Sequence, residues 1–471
     1  MKPKLNHFIN LCLSLALAAG CTTDKSTGNG DVAYWITTGD KTFLLKKGTE
    51  TLRFTHVVTT DPVIEIDTAQ RFQTIDGFGY ALTGGSAYLI NQKMNEAQQE
   101  ALLRELFLSD GNNIGISYLR ISIGASDLDD HVYTYDDMPI GKIDTALDHF
   151  NLEEDQKNLI PVLKKIVAMN PEIKIMGSPW SAPAWMKTNN SPKGGSLKPE
   201  YYEAYARYLV KYIQGMALKG IAIDAITLQN EPENPKNNPS MLMTAAEETA
   251  FVKKNLGPLF QQTGIKTKII VFDHNADHPE YPIQVLNDPE AKNYIDGSAF
   301  HLYLGEISAL SQVHEAHPDR NIYFTEQWTS SKGQFDVDLR WHLKNLIIGA
   351  TRNGSKNVLE WNLAADPNDN PHTQEGGCTE CLGALTIGDS VRRNVSYYII
   401  AHASKFVKHE SVRVASNLVD ELPNVAFLTP THERVLIVLN DTLEPKTFAI
   451  QYGGKKALAF LPSGAVGTFV W

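Results

Sequence analysis

Two glutamates are set apart by what surrounds them. Glu231 closes the run Leu228-Gln-Asn-Glu-Pro232, where an apolar stretch turns polar and a proline constrains the following turn. Glu326 closes Phe324-Thr-Glu-Gln-Trp328 in the same manner. Two carboxylates projecting from the ends of different strands into one space are equipped to split an acetal. One, neutral, protonates the leaving oxygen; the other, charged, attacks the anomeric carbon. Taken singly, each is as readily a solvated loop charge, as most acidic residues of the chain must be. The recurrence of the pattern about ninety residues later favours chemistry. Carboxyl groups about 5–5.5 Å apart give retention of anomeric configuration and about 6.5–9.5 Å give inversion. Since two carboxylates supply acid, base and nucleophile, neither a metal nor a cofactor is expected.

Eight short apolar runs must position these residues. They are Gln73–Gly79, Ile116–Ile123, Ile173–Ser178, Ile223–Gln229, Lys268–Phe272, Gly297–Tyr303, Asn321–Thr325 and Asn357–Trp361. Each ends in polar, aromatic or Gly/Pro residues, as buried strands do. Between them lie stretches of helical spacing at Asn95–Leu108, Glu153–Met169, Tyr201–Lys219, Ala245–Leu259 and Val337–Ala350. Alternation of this kind predicts an α/β fold, a (β/α)₈ TIM barrel, whose active residues lie at the C-terminal ends of the strands. Glu231 and Glu326 then end strands four and seven. A doubly wound open sheet is the competitor, but no G-x-G-x-x-G follows the first strand.

The flanks read as β without helices, through Val32–Thr37 and Val63–Ile66 at one end and Val425–Leu428, Arg434–Leu439, Thr447–Ile450 and Gly467–Trp471 at the other. Both termini are therefore expected to build one side β-sandwich, residues 31–67 and 406–471, beside a barrel of residues 68–405. Residues 1–20 read as a signal peptide: Lys2 and Lys4, an apolar run from Phe8 to Ala19, then small residues before Cys21. That order resembles a lipoprotein signal that would lipidate Cys21, with residues 21–30 as a polar tether. Ala18 stands where leucine is usual, so a plain secretory signal is the alternative. The expected location is the cell envelope, or the exterior if the chain is simply secreted, with the lipid anchor as the only membrane contact.

The formal charge is −11, and −13 without the two lysines of residues 1–20. An acidic chain without basic runs argues against nucleic acid and anionic lipid surfaces and suits a neutral substrate. Cys378-Thr-Glu-Cys381 is a lone C-x-x-C with no second pair to complete a zinc site. In an exported protein it reads as a local disulfide stapling a loop in preference to a redox centre.

The sequence resembles glycoside hydrolase family 30, the group that holds lysosomal glucocerebrosidase and microbial β-1,6-glucanases. The resemblance runs through Asp76-Gly-Phe-Gly79, Tyr118-Leu-Arg-Ile-Ser122, Tyr133-Thr-Tyr-Asp136, Gly177-Ser-Pro-Trp-Ser-Ala-Pro-Ala-Trp-Met-Lys187, Asn230-Glu-Pro232, His301-Leu-Tyr303, Thr325-Glu326 and Trp361-Asn-Leu363. It implies a retaining hydrolase with Glu231 as acid/base and Glu326 as nucleophile. It further implies that Asn230 binds the sugar 2-hydroxyl and that Arg120 keeps the nucleophile ionised. Asp127 and Trp180 would bind glycone hydroxyls and stack on the sugar, with His301, Tyr303 and Trp361 lining the pocket. Bland readings stand beside these: a structural ion pair for Arg120, rim packing for Trp180 and Trp361, a core histidine for His301.

Three departures bear on substrate. Where the glucocerebrosidase branch has Gly-Gly-Ala-x-Thr-Asp, this chain has Gly79-Tyr-Ala-Leu-Thr-Gly84. Its His-Trp-Tyr becomes His301-Leu302-Tyr303, and Gly376–Gly383 resembles a cysteine-bearing loop of the β-1,6-glucanase branch. Together they favour a β-linked glucan, β-1,6-glucan first, over ceramide-type aglycones. An exo-acting β-glucosidase, glucosylceramidase or β-xylosidase is the rival of the same class. A non-catalytic glycan-binding lipoprotein is the rival of another class, although a binder has no need of paired carboxylates.

Overall fold

Eight parallel strands close on themselves in the computed structural model, which describes residues 31–471. The expected signal peptide, Cys21 and the whole of the tether lie outside the described residues. The barrel strands are β1 (Gly77–Ala81), β2 (Tyr118–Ile123), β3 (Lys174–Pro179), β4 (Ala225–Thr227), β5 (Lys268–Ala276), β6 (Ile295–Gly305), β7 (Asn321–Glu326) and β8 (Ser355–Asn362). Each pairs in parallel with its sequence neighbour and β8 returns to β1, as in a TIM barrel. Strand β4 is shorter than its apolar run because Leu228 to Pro232 leaves the ladder to form the loop that carries Glu231.

The helices follow their sequence signals where one face is apolar. Glu96–Phe107 opens on a capping box between Asn95 and Gln98 and buries Leu102, Leu103, Leu106 and Phe107. The stretch from Ala245 runs on to Thr263 through a π-turn at Val252–Leu256. The helix Val395–Ser404, absent from the sequence reading, is buried on every side and so shows no amphipathic stripe. It joins the two domains: Tyr80 on β1 donates to the carbonyl of Ser396, and the imidazole of His402 reaches the hydroxyls of Thr37 and Thr468.

Both chain ends build the flanking β-sandwich. Asp31–Thr37 pairs antiparallel with Val466–Val470. The long strand Val63–Thr74 pairs antiparallel with Val412–Ser416 and, through its first half, parallel with Lys446–Tyr452. One strand thus serves both sheets, enclosing an apolar core with Ile64, Leu436, Phe448 and Phe469.

Inside the barrel the period of two residues stacks layers. The lower layer is Tyr118, Met176, Ala225, Ile270, Ala299, Tyr323 and Leu359. Two residues further along the same strands come Arg120, Ser178, Thr227, His301, Thr325 and Trp361, a polar and aromatic layer at the C-terminal rim.

Candidate active site

Arg120 is the hub of the upper layer and is fully buried. Its guanidinium donates to Ser178 Oγ at 3.1 Å, Glu326 Oε2 at 2.5 Å, Asn230 Oδ1 at 2.6 Å and Asp273 Oδ2 at 2.7 Å. Thr227 and Thr325 donate to Asp273 at 2.7 and 2.6 Å, so that with Arg120 and His301 each Asp273 oxygen has two partners. A buried guanidinium without such partners would be costly; here two carboxylates and two neutral acceptors meet it.

Asp273 arrives there by an irregularity. It stands three residues after Ile270, not two, because Phe272 and Asp273 both take positive φ, 75° and 59°, and the β5–β6 register shifts beside them. The bulge turns toward the axis a side chain that regular alternation would point outward. Glu231 is likewise left-handed, with φ 46°. Its amide donates to the carbonyl of Asp273 at 3.0 Å, which ties the turn to the bulge. Strained backbone of this kind persists only where surrounding structure enforces it.

Glu231 and Glu326 are brought together. Glu326 Oε1 accepts from the Tyr303 hydroxyl at 2.8 Å. Glu231 Oε2 accepts from the side-chain amides of Asn234 and Asn237 at 2.7 and 2.9 Å. Between them sits His301: its Nδ1 is 3.4 Å from Glu231 Oε1 and 3.7 Å from Glu326 Oε1, and its Nε2 is 3.1 Å from Asp273 Oδ1. The two glutamate oxygens can be no farther apart than those first distances laid end to end, about 7 Å, and any bend at the nitrogen brings them closer.

The charges of this cluster are interlocked. Burial pushes Asp273 upward, but Arg120 and His301 outweigh it and hold the carboxylate below its usual range. Burial disfavours the His301 cation, yet Glu326, Asp273 and Glu231 raise it to about 9. Its flanking carboxylates make both ring nitrogens donors. Burial would raise Glu231, but His301, then His274 and Asn234, bring it down to about 2. Burial raises Glu326, with the Glu231 charge adding to it and His301, Arg120 and Tyr303 opposing. Within the cluster, His301 is thus driven toward its cation and Glu231 toward its anion.

The remaining expected residues lie around the pair. Asn230 turns Oδ1 to Arg120, leaving Nδ2 for a ligand. Trp180 and Trp361 stack on each other at 5.5 Å, and the Arg120 guanidinium lies 4.8 Å above the Trp180 ring. Trp180 Nε1 is buried with no partner among the described residues. Asp127, beside the charges of Glu326 and Glu231, is raised by burial and by both of them to about 8. Cys378 and Cys381 are disulfide-bonded, and the short pairing of Thr329–Ser330 with Cys381–Leu382 holds their loop beside β7. At Gly84, a Cβ would fall on the carboxylate of Asp129, which accounts for glycine there.

Asp273, His274, Asn234 and Asn237 were not foreseen. The run Phe272-Asp-His-Asn275 carries the same signal that marked the glutamates, an apolar strand turning polar at its end. The bulge that aims Asp273 inward has no counterpart in the alternation pattern.

Comparisons with known proteins converge. Residues 75–407 match the glycosyl hydrolase family 30 TIM-barrel domain, and residues 410–469 the glycosyl hydrolase family 30 beta sandwich domain. An endo-1,6-β-D-glucanase of Neurospora crassa is 36% identical over 354 residues, 73% of this chain and 72% of its own length. The lysosomal acid glucosylceramidase of Mus musculus is 28% identical over 442 residues, 87% of this chain and 83% of its own. Among solved structures, the endo-β1,6-glucanase BT3312 superposes with a TM-score of 0.87 at 34% identity, covering 94% of this chain and 99% of that one.

Proposed function

From the premise that this chain belongs to glycosyl hydrolase family 30, we propose that it hydrolyses β-1,6-linked glucan internally, with retention at the anomeric carbon, using Glu231 as acid/base and Glu326 as nucleophile. The observation that carries the mechanism is the imidazole shared between the two glutamates, which keeps their oxygens within about 7 Å. That bound admits the retaining separation of about 5–5.5 Å and excludes most of the inverting range of about 6.5–9.5 Å. The substrate is supported by the fungal and structural relatives that bear that activity in their names and by Gly84, whose site has no space for the aspartate of the glucosylceramidase pattern.

The chain's own groups then divide the work. Arg120 and Tyr303 hold Glu326 aimed and ionised for attack. The proton on His301 Nδ1, 3.4 Å from Glu231 Oε1, passes to that glutamate as the leaving oxygen approaches. Once the glycosyl group is on Glu326, that carboxylate has lost its charge, and Glu231 removes a proton from the incoming water. Asn230 Nδ2, Asp127 and the free Trp180 Nε1 supply donors for glycone hydroxyls.

Purified protein incubated with pustulan, laminarin, xylan, glucosylceramide and aryl β-glucosides tests the reading. A ladder of β-1,6-oligosaccharides from pustulan is expected early in the reaction. Glucose as the sole product of every substrate would overturn the internal mode, and faster turnover of glucosylceramide or xylan would overturn the glucan. We also propose that the enzyme is held at the cell envelope by a lipid on Cys21. Incorporation of labelled fatty acid, lost in Cys21→Ser, is the expected result, and an unlabelled chain would leave only secretion.

A further inference from the structure

Beyond turnover, one group of side chains has the composition of a metal site. Glu231, His274 and His301 are all buried, and one ligand atom from each lies within 4.8 Å of the others. From them we infer that the free enzyme binds a divalent transition-metal ion of the zinc, copper or cobalt type at Glu231 Oε1, His274 and His301 Nδ1, and that this ion inhibits hydrolysis.

Two separate features support the site. The Nδ1 of His274 is buried without a hydrogen-bond partner among the described residues and stands 3.9 Å from Glu231 Oε1. A buried ring nitrogen with nothing to bond is a loss that a ligand can remove. On His301, Nε2 is taken by Asp273 Oδ1 at 3.1 Å, so Nδ1 is the nitrogen turned to Glu231, at 3.4 Å. Metal-bound histidines are oriented in this way, with a carboxylate on the second nitrogen fixing the ring.

Bond lengths of about 2.0–2.2 Å to N and O put neighbouring tetrahedral ligands a little over 3 Å apart. The 3.4 Å contact is already there, and the 3.9 Å one closes with a small rotation of His274. Glu326 Oε1, 3.7 Å from the same His301 nitrogen, is the side chain in reach for a fourth position. Two imidazoles and carboxylate suit borderline ions and not magnesium or calcium, which take oxygen. The three protein ligands also include the residue that must carry the acid proton. Bound metal would block proton donation, release a proton to solvent, and exclude the substrate. The inhibition rests on the acid/base assignment of Glu231; the binding does not.

Cobalt(II) serves as the probe, because a four-coordinate ion absorbs in the visible where the aqueous ion scarcely does. Titration of the purified protein is expected to develop that band to one equivalent. Zinc(II) should displace it, and gentiobiose or an active-site inhibitor should compete with it. Zinc should inhibit reversibly, relieved by a chelator. In His274→Ala and in His274→Phe, which keeps a ring without a ligand atom, the inhibition constant for zinc, each against the variant's own basal rate, should rise by about 100-fold or more, beyond the roughly 10–100-fold that follows loss of a supporting partner. Thermal melts check that the variants are folded. A cobalt band unchanged in both variants, or no uptake at one equivalent, overturns the site. A band that appears and vanishes as expected while zinc leaves turnover untouched overturns the inhibition and points at the role given to Glu231.

Discussion

Replacing Tyr303 by phenylalanine removes one oxygen and one hydrogen bond, the 2.8 Å donation to Glu326 Oε1. That donation favours the charged carboxylate and opposes the upward push that burial gives Glu326. A hydrogen bond to a charged group contributes about 1.5–3 kcal/mol, and one pKa unit corresponds to about 1.4 kcal/mol. Without it, the Glu326 pKa should rise by about 1–2 units. The sign follows from the nucleophile having to be ionised: a higher pKa moves the acidic limb of kcat/KM to higher pH. Arg120 still binds the other oxygen, so the carboxylate stays in place. The basic limb, set by the proton shared between His301 and Glu231, should not move. The assay is kcat/KM for a soluble aryl β-gentiobioside across the full pH profile, with thermal melts to confirm the fold. An acidic limb that is unmoved or displaced downward would refute the reasoning.

Three further outcomes follow from the same geometry. His301→Gln takes away the cation that lowers both glutamates and carries the proton at about 9; the acidic limb should rise and the basic limb fall, narrowing the pH–rate bell from both sides. Arg120→Met leaves Asp273 and Glu326 buried without their guanidinium; stability should drop by about 3–5 kcal/mol, read by denaturant titration, with activity lost, and a melt matching wild type would contradict the hub role. Glu248, buried and raised by burial to about 8, accepts among the described residues from the Phe272 amide alone, beside the bulge. Its folded pKa exceeds the unfolded value, so folding takes up a proton between about pH 4.5 and 8 and stability falls as pH rises through that window. Glu248→Gln should thus gain on wild type by up to about 1.4 kcal/mol per pH unit there, levelling above pH 8; a pH-independent difference in stability would sink that account.

The barrel was legible because buried parallel strands announce themselves as apolar runs, and β2, β3, β6 and β7 lie within a few residues of theirs. The position of Glu231 and Glu326 at strand ends followed from the same runs. The helix Val395–Ser404 was not legible, since a helix buried all round carries no stripe. Asp273 and His274 were hidden for a different reason. Two consecutive left-handed residues on β5 break the alternation, and neither Phe272 nor Asp273 is a residue type that advertises positive φ as glycine does. The pattern could mark the strand end as polar. Which of those polar side chains faces the axis depends on the register that β5 keeps with β6, a property of two strands and not of one.

Covalent attack by Glu326 on the anomeric carbon is the central step. Reaction with a 2-deoxy-2-fluoro-β-gentiobiosyl donor bearing an activated leaving group should trap the glycosyl-enzyme, and peptide mass spectrometry should find one adduct, on the segment Asn321–Trp328 at Glu326. An adduct on any other residue, or no adduct together with an α-configured first product from pustulan, would contradict it.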